Sequence, residues 1–351
     1  MDGAPSHRAD GAHWALRLAE RPTARMATTD EHRLLRSTAR EVYASDPSPD
    51  DFAALGWYGL LTDERAGGAG WFPEEAALIA MEGGNAGSTT TWFQNALVAA
   101  FASETPGLSG WTPGLLSGEA IGAFGHSTDL SWGEDVVSGS VARVVSDGKP
   151  NMVVLTGPPG THTVAVHLGQ HGAGVHGDVV ALETERQLYR LTLDQVGAVR
   201  VSPGTRVEMA AIVLLCSDSV GAVARALHLV TGYLVEREAF EVPIASFQTI
   251  QHRLVDLVTF QKASEALVLR SAQALASDDP RAERLTLAAH AYVEGRAVQS
   301  IDECIQLAGG IGFTWEFPLH HALRRVATNA AIFGPGRDSR RRLASSSGSA
   351  R

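Results

Sequence analysis

Between two stretches of helical periodicity, residues 120–206 follow a different rhythm. Short Val- and Leu-rich runs (VVSGSVARVV, NMVVLTG, HTVAVHL, DVVALETE, YRLTLDQV and AVRVS) alternate with turn residues. Such runs, bounded by Gly, Pro, Asp and Ser, predict about six strands of a small antiparallel sheet or barrel. The chain must therefore enclose a β-domain between two helical units. We find no internal repeat.

The flanks read as helices. In EHRLLRSTAREVYA, Leu34, Leu35, Ala39 and Val42 fall near helical spacing, and Pro47 and Pro49 end the run. Phe72-Pro73-Glu74-Glu75 opens another helix, with proline and acids in its first turn. Beyond residue 206, Val220, Ala224, Leu227 and Leu234 share one helical face, and Ile250, Leu254, Leu257 and Val258 another. Asp278-Asp279-Pro280 starts a third helix, which Gly309-Gly310 ends. The expected division is a flexible extension over 1–25, an N-terminal α-helical domain over 26–119, a middle β-domain over 120–206, a C-terminal helical bundle over 207–343 and a flexible tail over 344–351.

The 351 residues suffice for two or three packed units, and 44% hydrophobic with 19% charged residues is ordinary for a globular protein. A net charge of −10 argues against general nucleic-acid binding. Two cysteines, Cys216 and Cys304, make no disulfide framework and suit a reducing cytoplasm. No secretory leader is visible, and apolar runs such as AAIVLLC are too short for a bilayer, so the chain reads as cytoplasmic and not membrane-bound.

Four segments then carry a resemblance. ALGWYGLLTDERAGGAGW, LLSGEAIGAFGHST, REAFEVPIASFQTIQHRLVD and QLAGGIGFTWEFPL occur in one order and in helical or strand context. Together they resemble the acyl-CoA dehydrogenase family over about residues 30–343. The resemblance implies an α+β fold: an N-terminal helical domain, a middle antiparallel β-domain and a C-terminal four-helix bundle. It also implies FAD as cofactor, bound partly across a subunit interface in a dimer or tetramer.

Residue by residue, Arg237, Phe240 and Gln248 match family positions that contact the dinucleotide of a neighbouring subunit. Gln306, Gly309 and Gly310 match positions beside its adenosine part. A guanidinium offers several donors to a pyrophosphate, and glycine lets backbone approach closely. Ser127 in AFGHST stands where the family bonds the flavin through a threonine hydroxyl. The implied reaction is α,β-desaturation of an acyl thioester, carried by CoA or an acyl-carrier protein. In it a carboxylate takes the α-proton, the flavin accepts the β-hydride, and electron-transfer flavoprotein or oxygen is the final acceptor.

The base is where the sequence departs from this pattern. In IFGPG, Gly334 occupies one family position for the glutamate; Ala211 occupies the other. A branch that shares FTWE and an LFG-type ending carries a glutamate where LLCSDSVG has Asp218. Aspartate is one methylene shorter, a displacement of about an ångström. Asp218 is the candidate catalytic residue; Glu208 is a weaker one, and Glu316 reads as a loop-ordering group. Two readings stay open beside the dehydrogenase: a subunit without its base that supports a paralogous subunit, and a non-redox enzyme on the same scaffold.

Other constellations are less specific. His162, His167, His171 and His176 fit no zinc spacing. His126 adjoins Ser127 and is a candidate contact to flavin or substrate. GPPGTH lacks the lysine of a phosphate loop, and RAGGAG lies in no strand-to-helix unit. Arg340, Arg341 and Arg342 read as a solvated tail.

Overall fold

The structure is a computed structural model, and it describes residues 30–127, 129–157, 163–177, 183–201, 206–332 and 336–348. The extension expected over 1–25 lies outside these residues, as do Gly334, Thr128 and His162.

Among the described residues five α-helices come first: α1 (Asp30–Ala44), α2 (Pro49–Ala54), α3 (Pro73–Ala86), α4 (Trp92–Glu104) and α5 (Thr112–Ser117). Pro73 opens α3 with Glu74 and Glu75 in the first turn, where acids complement the helix dipole. Seven strands follow: β1 (Gly122–His126), β2 (Leu130–Trp132), β3 (Val136–Val145), β4 (Met152–Thr156), β5 (Thr163–His167), β6 (Ala173–His176) and β7 (Leu188–Val201). Their order is β2-β3-β1-β4-β5-β7-β6, and β3 also pairs with β7. That extra pairing closes β3, β1, β4, β5 and β7 into a barrel, with β2 and β6 added at its sides. Closure removes the free edges that an open sheet would expose. The β1–β4 pair is parallel and the others are antiparallel, so the sheet expected to be antiparallel is mixed at one position. YRLTLDQV and AVRVS, which read as two strands, are the single strand β7.

The barrel interior is Val137, Val141, Val153, Leu155, Val164 and Leu191 with their neighbours, at most a few per cent exposed. It meets the N-terminal helices through α4. Asn95 Oδ1 accepts from Gly122 N at 2.6 Å, and Gln94 Oε1 accepts from Phe124 N at 2.9 Å. Two buried amides thereby accept from backbone donors of β1.

The C-terminal unit comprises α6 (Arg206–Glu236), the hairpin β8 (Glu238–Ala239) and β9 (Val242–Pro243), α7 (Gln248–Ala276), α8 (Ala282–Val293), α9 (Ala297–Ala308), α10 (Leu319–Ile332) and α11 (Gly336–Gly348). The helix expected from 280 to 308 is broken into α8 and α9 by turns at 294–296. α11 runs on through 344–348, where a tail was expected.

α6 is the central helix. By length and composition it could cross a bilayer, unlike the short runs weighed from sequence, but 83% of its most apolar window is buried within the fold. It crosses α3 in backbone contact. A Cβ on Gly221 would lie 2.0 Å from Met81 O, and one on Gly84 would lie 2.1 Å from Asp218 O. Only glycine permits that approach.

Candidate functional site: an exposed bundle end and a buried ion-pair junction

The residues expected to hold a dinucleotide gather at one end of the bundle. Arg237 follows α6 directly. Its N–H donates to Tyr233 O and its carbonyl accepts from Ile244 N, both at 2.8 Å, so the backbone is pinned while the side chain is exposed. Gln248 begins α7 and Gln306 lies in the last turn of α9; both are exposed. Arg253 and Glu303 pair between α7 and α9, roughly one turn from each amide. Leu254, Ile301, Cys304 and Ile305 pack beneath them with Ala245. Gly309 caps α9 with φ +69°, and a Cβ on Gly309 or Gly310 would meet nothing within 4 Å. The space beside these glycines is therefore open.

The same end carries exposed aromatics: Phe240 at 92%, Trp315 at 69%, Phe313 at 68% and Phe247 at 36%. Large apolar side chains gathered around polar donors mark a contact surface. Donors for a diphosphate, open backbone at paired glycines and aromatic faces fit the adenosine-diphosphate part of FAD.

The barrel side offers less. Ser127 Oγ donates to Ser140 O at 2.8 Å and accepts from Asp129 N at 3.1 Å. Its proton is already used, so a flavin acceptor would have to displace a backbone carbonyl to receive it. His126 Nδ1 lies 3.1 Å from Thr156 Oγ1. Burial holds the His126 pKa below the usual histidine range, against the opposing pull of Asp338. Sequence reasoning missed His290, whose Nδ1 is 2.8 Å from Ser339 Oγ and so ties α11 to α8. Burial, helped by His126 and Arg342, pushes its pKa down to about 4.

Asp218 has a setting unlike that of a catalytic base. Its Oδ1 accepts from Arg325 Nη2 at 2.6 Å; its Oδ2 accepts from Arg325 Nε at 2.9 Å and from Asn329 Nδ2 at 2.7 Å. Arg186 Nη1 stands 3.5 Å from Oδ2. Arg325 Nη1 also donates to Ser88 O at 2.6 Å, and Arg186 forms two bonds to Glu183. Asp218 is 1% exposed and Arg325 2%. Burial alone would raise the Asp218 pKa; Arg325 and Arg186 outweigh it and hold the carboxyl below its ordinary value. A carboxylate held ionised by a bidentate guanidinium is a poor proton acceptor.

Glu294 closes the same network. Ser219 Oγ donates to its Oε1 at 2.9 Å, and Asn329 Nδ2 donates to Ser219 Oγ at 3.0 Å. Burial raises the Glu294 pKa to about 8, with Asp218 adding to the shift and the Ser219 bond opposing it. The other carboxylates stand apart: Glu208 is partly exposed in the first turn of α6, and Glu316 is exposed. Ala211, at the second family base position, is fully buried.

The remaining histidines are structural neighbours. His167 meets Trp111 with ring centroids 4.5 Å apart and planes tilted by 45°, His176 Nε2 is 2.9 Å from Thr192 Oγ1, and His321 Nδ1 is 3.3 Å from Glu185. Among the described residues no three His, Cys, Asp or Glu side chains group as metal ligands.

Comparisons with known proteins agree with this architecture. Residues 209–347 match the family model for the acyl-CoA dehydrogenase C-terminal domain. Acyl-CoA dehydrogenase IpdE2 of Mycobacterium tuberculosis is 28% identical over 347 residues, which cover 91% of this chain and 98% of that protein. Acyl-CoA dehydrogenase FadE34 of the same organism is 29% identical over 82% of this chain, a match to 40% of its own length. A variant of the steroid ACAD Tcur3481-Tcur3483 superposes with a TM-score of 0.76 at 23% identity, covering 92% of this chain and 99% of that one. The acyl-CoA dehydrogenase from Geobacillus kaustophilus gives a TM-score of 0.78 at 17% identity, covering 92% and 99%. The fold is that of the acyl-CoA dehydrogenases. Over residues 209–347 the chain is similar to the acyl-CoA dehydrogenase C-terminal domain, and over most of its length it is similar to proteins named as acyl-CoA dehydrogenases.

Proposed function

We propose that this chain is a subunit of an FAD-dependent acyl-CoA dehydrogenase that desaturates an acyl thioester. It supplies the adenosine-diphosphate end of the FAD site to a neighbouring, paralogous protomer, and that protomer brings the base. The observation that carries this reading is the bidentate Arg325–Asp218 pair. It leaves no free carboxylate at either described family base position, Ala211 or Asp218.

When bound, FAD would supply the two-electron redox chemistry. The chain's own residues bind and orient. Arg237 would donate to the diphosphate, Gln248 and Gln306 would donate from two helix ends, and Phe240 would cover an apolar face. The Arg253–Glu303 pair and the packed core beneath keep those helix ends in fixed relation. An electron-transfer flavoprotein or oxygen would serve as the acceptor. A subunit role is also supported by the name of the structural relative Tcur3481-Tcur3483, which joins two designations.

Co-purification with a glutamate-bearing family member of the same genome tests the reading. Arg237→Ala should lower FAD retention roughly tenfold or more in the complex. Unchanged flavin content in that variant contradicts the assigned role. The second reading makes Asp218 the base of a self-sufficient homo-oligomer. It requires Arg325 to release the carboxylate, and activity of the chain alone would favour it.

A further inference from the structure

The run Arg340-Arg341-Arg342, which reads as a solvated tail in sequence, lies on α11, and α11 packs against α8. Arg337, Arg340 and Arg341 fall at helical spacing, and all three are exposed, the Arg337 side chain to 67% and that of Arg341 to 76%. Arg340 Nη1 donates to Ala291 O at 3.1 Å and lies 2.9 Å from where a Gly295 Cβ would stand, so it reaches the break between α8 and α9. The next residue at that break, Arg296, is exposed too, with its guanidinium 5.1 Å from the centre of the Phe260 ring. Arg296, Arg337, Arg340 and Arg341 thus border one strip of surface.

Little counter-charge meets them. Asp338 lies 3.2 Å from Arg341 and 3.9 Å from Arg337. Arg296 and Arg340 pair with no carboxylate among the described residues. Arg342, on the inner side, is engaged by Glu283 at 2.9 Å. The arrangement is locally unfavourable in two ways. Like charges one turn apart on a helix repel. Cations in the first turns oppose the helix dipole, whose positive end lies there. A chain with net charge −10 nevertheless concentrates guanidinia here. A basic strip kept against both costs is the electrostatic footprint of an anionic ligand.

Resting on the acyl-thioester reading above, we propose that this strip of α11 and the α8–α9 break binds the phosphates of the CoA nucleotide. The Arg237 end of the bundle is taken by the FAD diphosphate, and a CoA thioester is the other phosphorylated molecule in the reaction. Guanidinia offer forked donors to phosphate oxygens. Four of them, set against the lone Asp338, suit a group with several negative charges. A phosphopantetheine arm on a carrier protein has the phosphate nearest the thioester but no nucleotide. The strip therefore favours the free CoA thioester as carrier.

Isothermal titration of the full chain with CoA, dephospho-CoA and pantetheine tests the assignment. Affinity should fall in that order, and CoA binding should weaken steeply with added salt. The double variant Arg337→Gln/Arg341→Gln should weaken CoA binding roughly tenfold or more, flatten its salt dependence and leave pantetheine unaffected. Its melting temperature should equal or exceed that of the native chain, because repulsion and the adverse dipole are relieved. A purely structural strip would lower it. Arg33→Gln, on the exposed side of α1, controls for the loss of charge and should bind CoA as the native chain does. CoA and pantetheine bound alike, or CoA binding unchanged in the double variant, overturns the proposal. So does tighter binding of a carrier-protein phosphopantetheine than of CoA. Flavin retention in Arg237→Ala is read separately, so failure here leaves the subunit reading standing.

Discussion

Arg325 on α10 closes on Asp218 of α6 in a two-point contact, 2.6 Å from Nη2 to Oδ1 and 2.9 Å from Nε to Oδ2. The partners are 107 residues apart in sequence and almost wholly buried. This pair joins α6 to α10, while Arg186 adds the segment leading into β7 and Ser88 the end of α3. Breaking one half leaves a buried charge without its counter-ion. Arg325→Met should therefore destabilise the chain by roughly 3–5 kcal/mol in urea denaturation. Pairing it with Asp218→Leu should recover much of that loss. A double variant no more stable than the single one would show that the pair is not coupled in this way.

The same network sets an acid limit. Asp218 has a folded-state pKa below its unfolded value, so its contribution is present above the unfolded pKa, near 3.8, and is lost as pH falls through the folded pKa. Melting temperature should fall steeply below about pH 4. The Arg325→Met variant should show a weaker acid dependence.

Glu294 acts in the opposite direction. Its folded pKa of about 8 lies above the ordinary value of 4.5, so the folded state holds the proton more tightly. The stabilisation is complete below pH 4.5 and is lost progressively as pH rises through 8. Glu294→Gln mimics the protonated form. It should leave stability near pH 5 almost unchanged and raise the melting temperature at pH 8.5 by several degrees. Equal stability of native and variant chains at pH 8.5 would contradict this assignment.

The α3–α6 crossing depends on two missing side chains. Gly221→Ala sets a Cβ 2.0 Å from Met81 O and 2.7 Å from Asn85 N, both backbone atoms that cannot rotate away. A loss of roughly 3 kcal/mol is expected by denaturant titration. Gly232→Ala on the same helix meets no atom within 4 Å and serves as the control.

Ser127 should matter less to flavin than its place in AFGHST implies. Because its proton goes to Ser140 O, Ser127→Ala should change FAD affinity less than threefold and cost about 1 kcal/mol of stability. A large affinity loss would mean that the hydroxyl turns toward the cofactor.

Much of the architecture could be read from residue periodicity. VVSGSVARVV and NMVVLTG alternate or run apolar at strand length, and they form β3 and β4. QVGAV interrupts the apolar pattern of β7 and so suggests two strands; the chain runs on as one strand, with Gln195 at φ +51° within it. The α8–α9 break at 294–296 has only Gly295 as a local mark, too weak to stop a helix in sequence. Barrel closure through β3 and β7 is a tertiary fact that spacing does not encode.

Of the candidate site, the exposed end formed by Arg237, Gln248, Gln306 and the paired glycines follows from motif and cap chemistry. The role of Asp218 does not. Its position in a family pattern suggests a base, while the arginine that engages it lies in a distant helix. A usable signal was present: a charge inside LLCSDSVGAV, and Arg325 on the apolar face formed by Leu319, Ala322 and Val326, each required a buried partner.

The most direct test of the subunit account is anaerobic titration of the FAD-loaded chain with acyl-CoA, followed by flavin absorbance, alone and in complex with the glutamate-bearing paralogue. The account predicts bleaching only in the complex. Stoichiometric bleaching of the chain alone, abolished by Asp218→Asn in a folded variant, would contradict it.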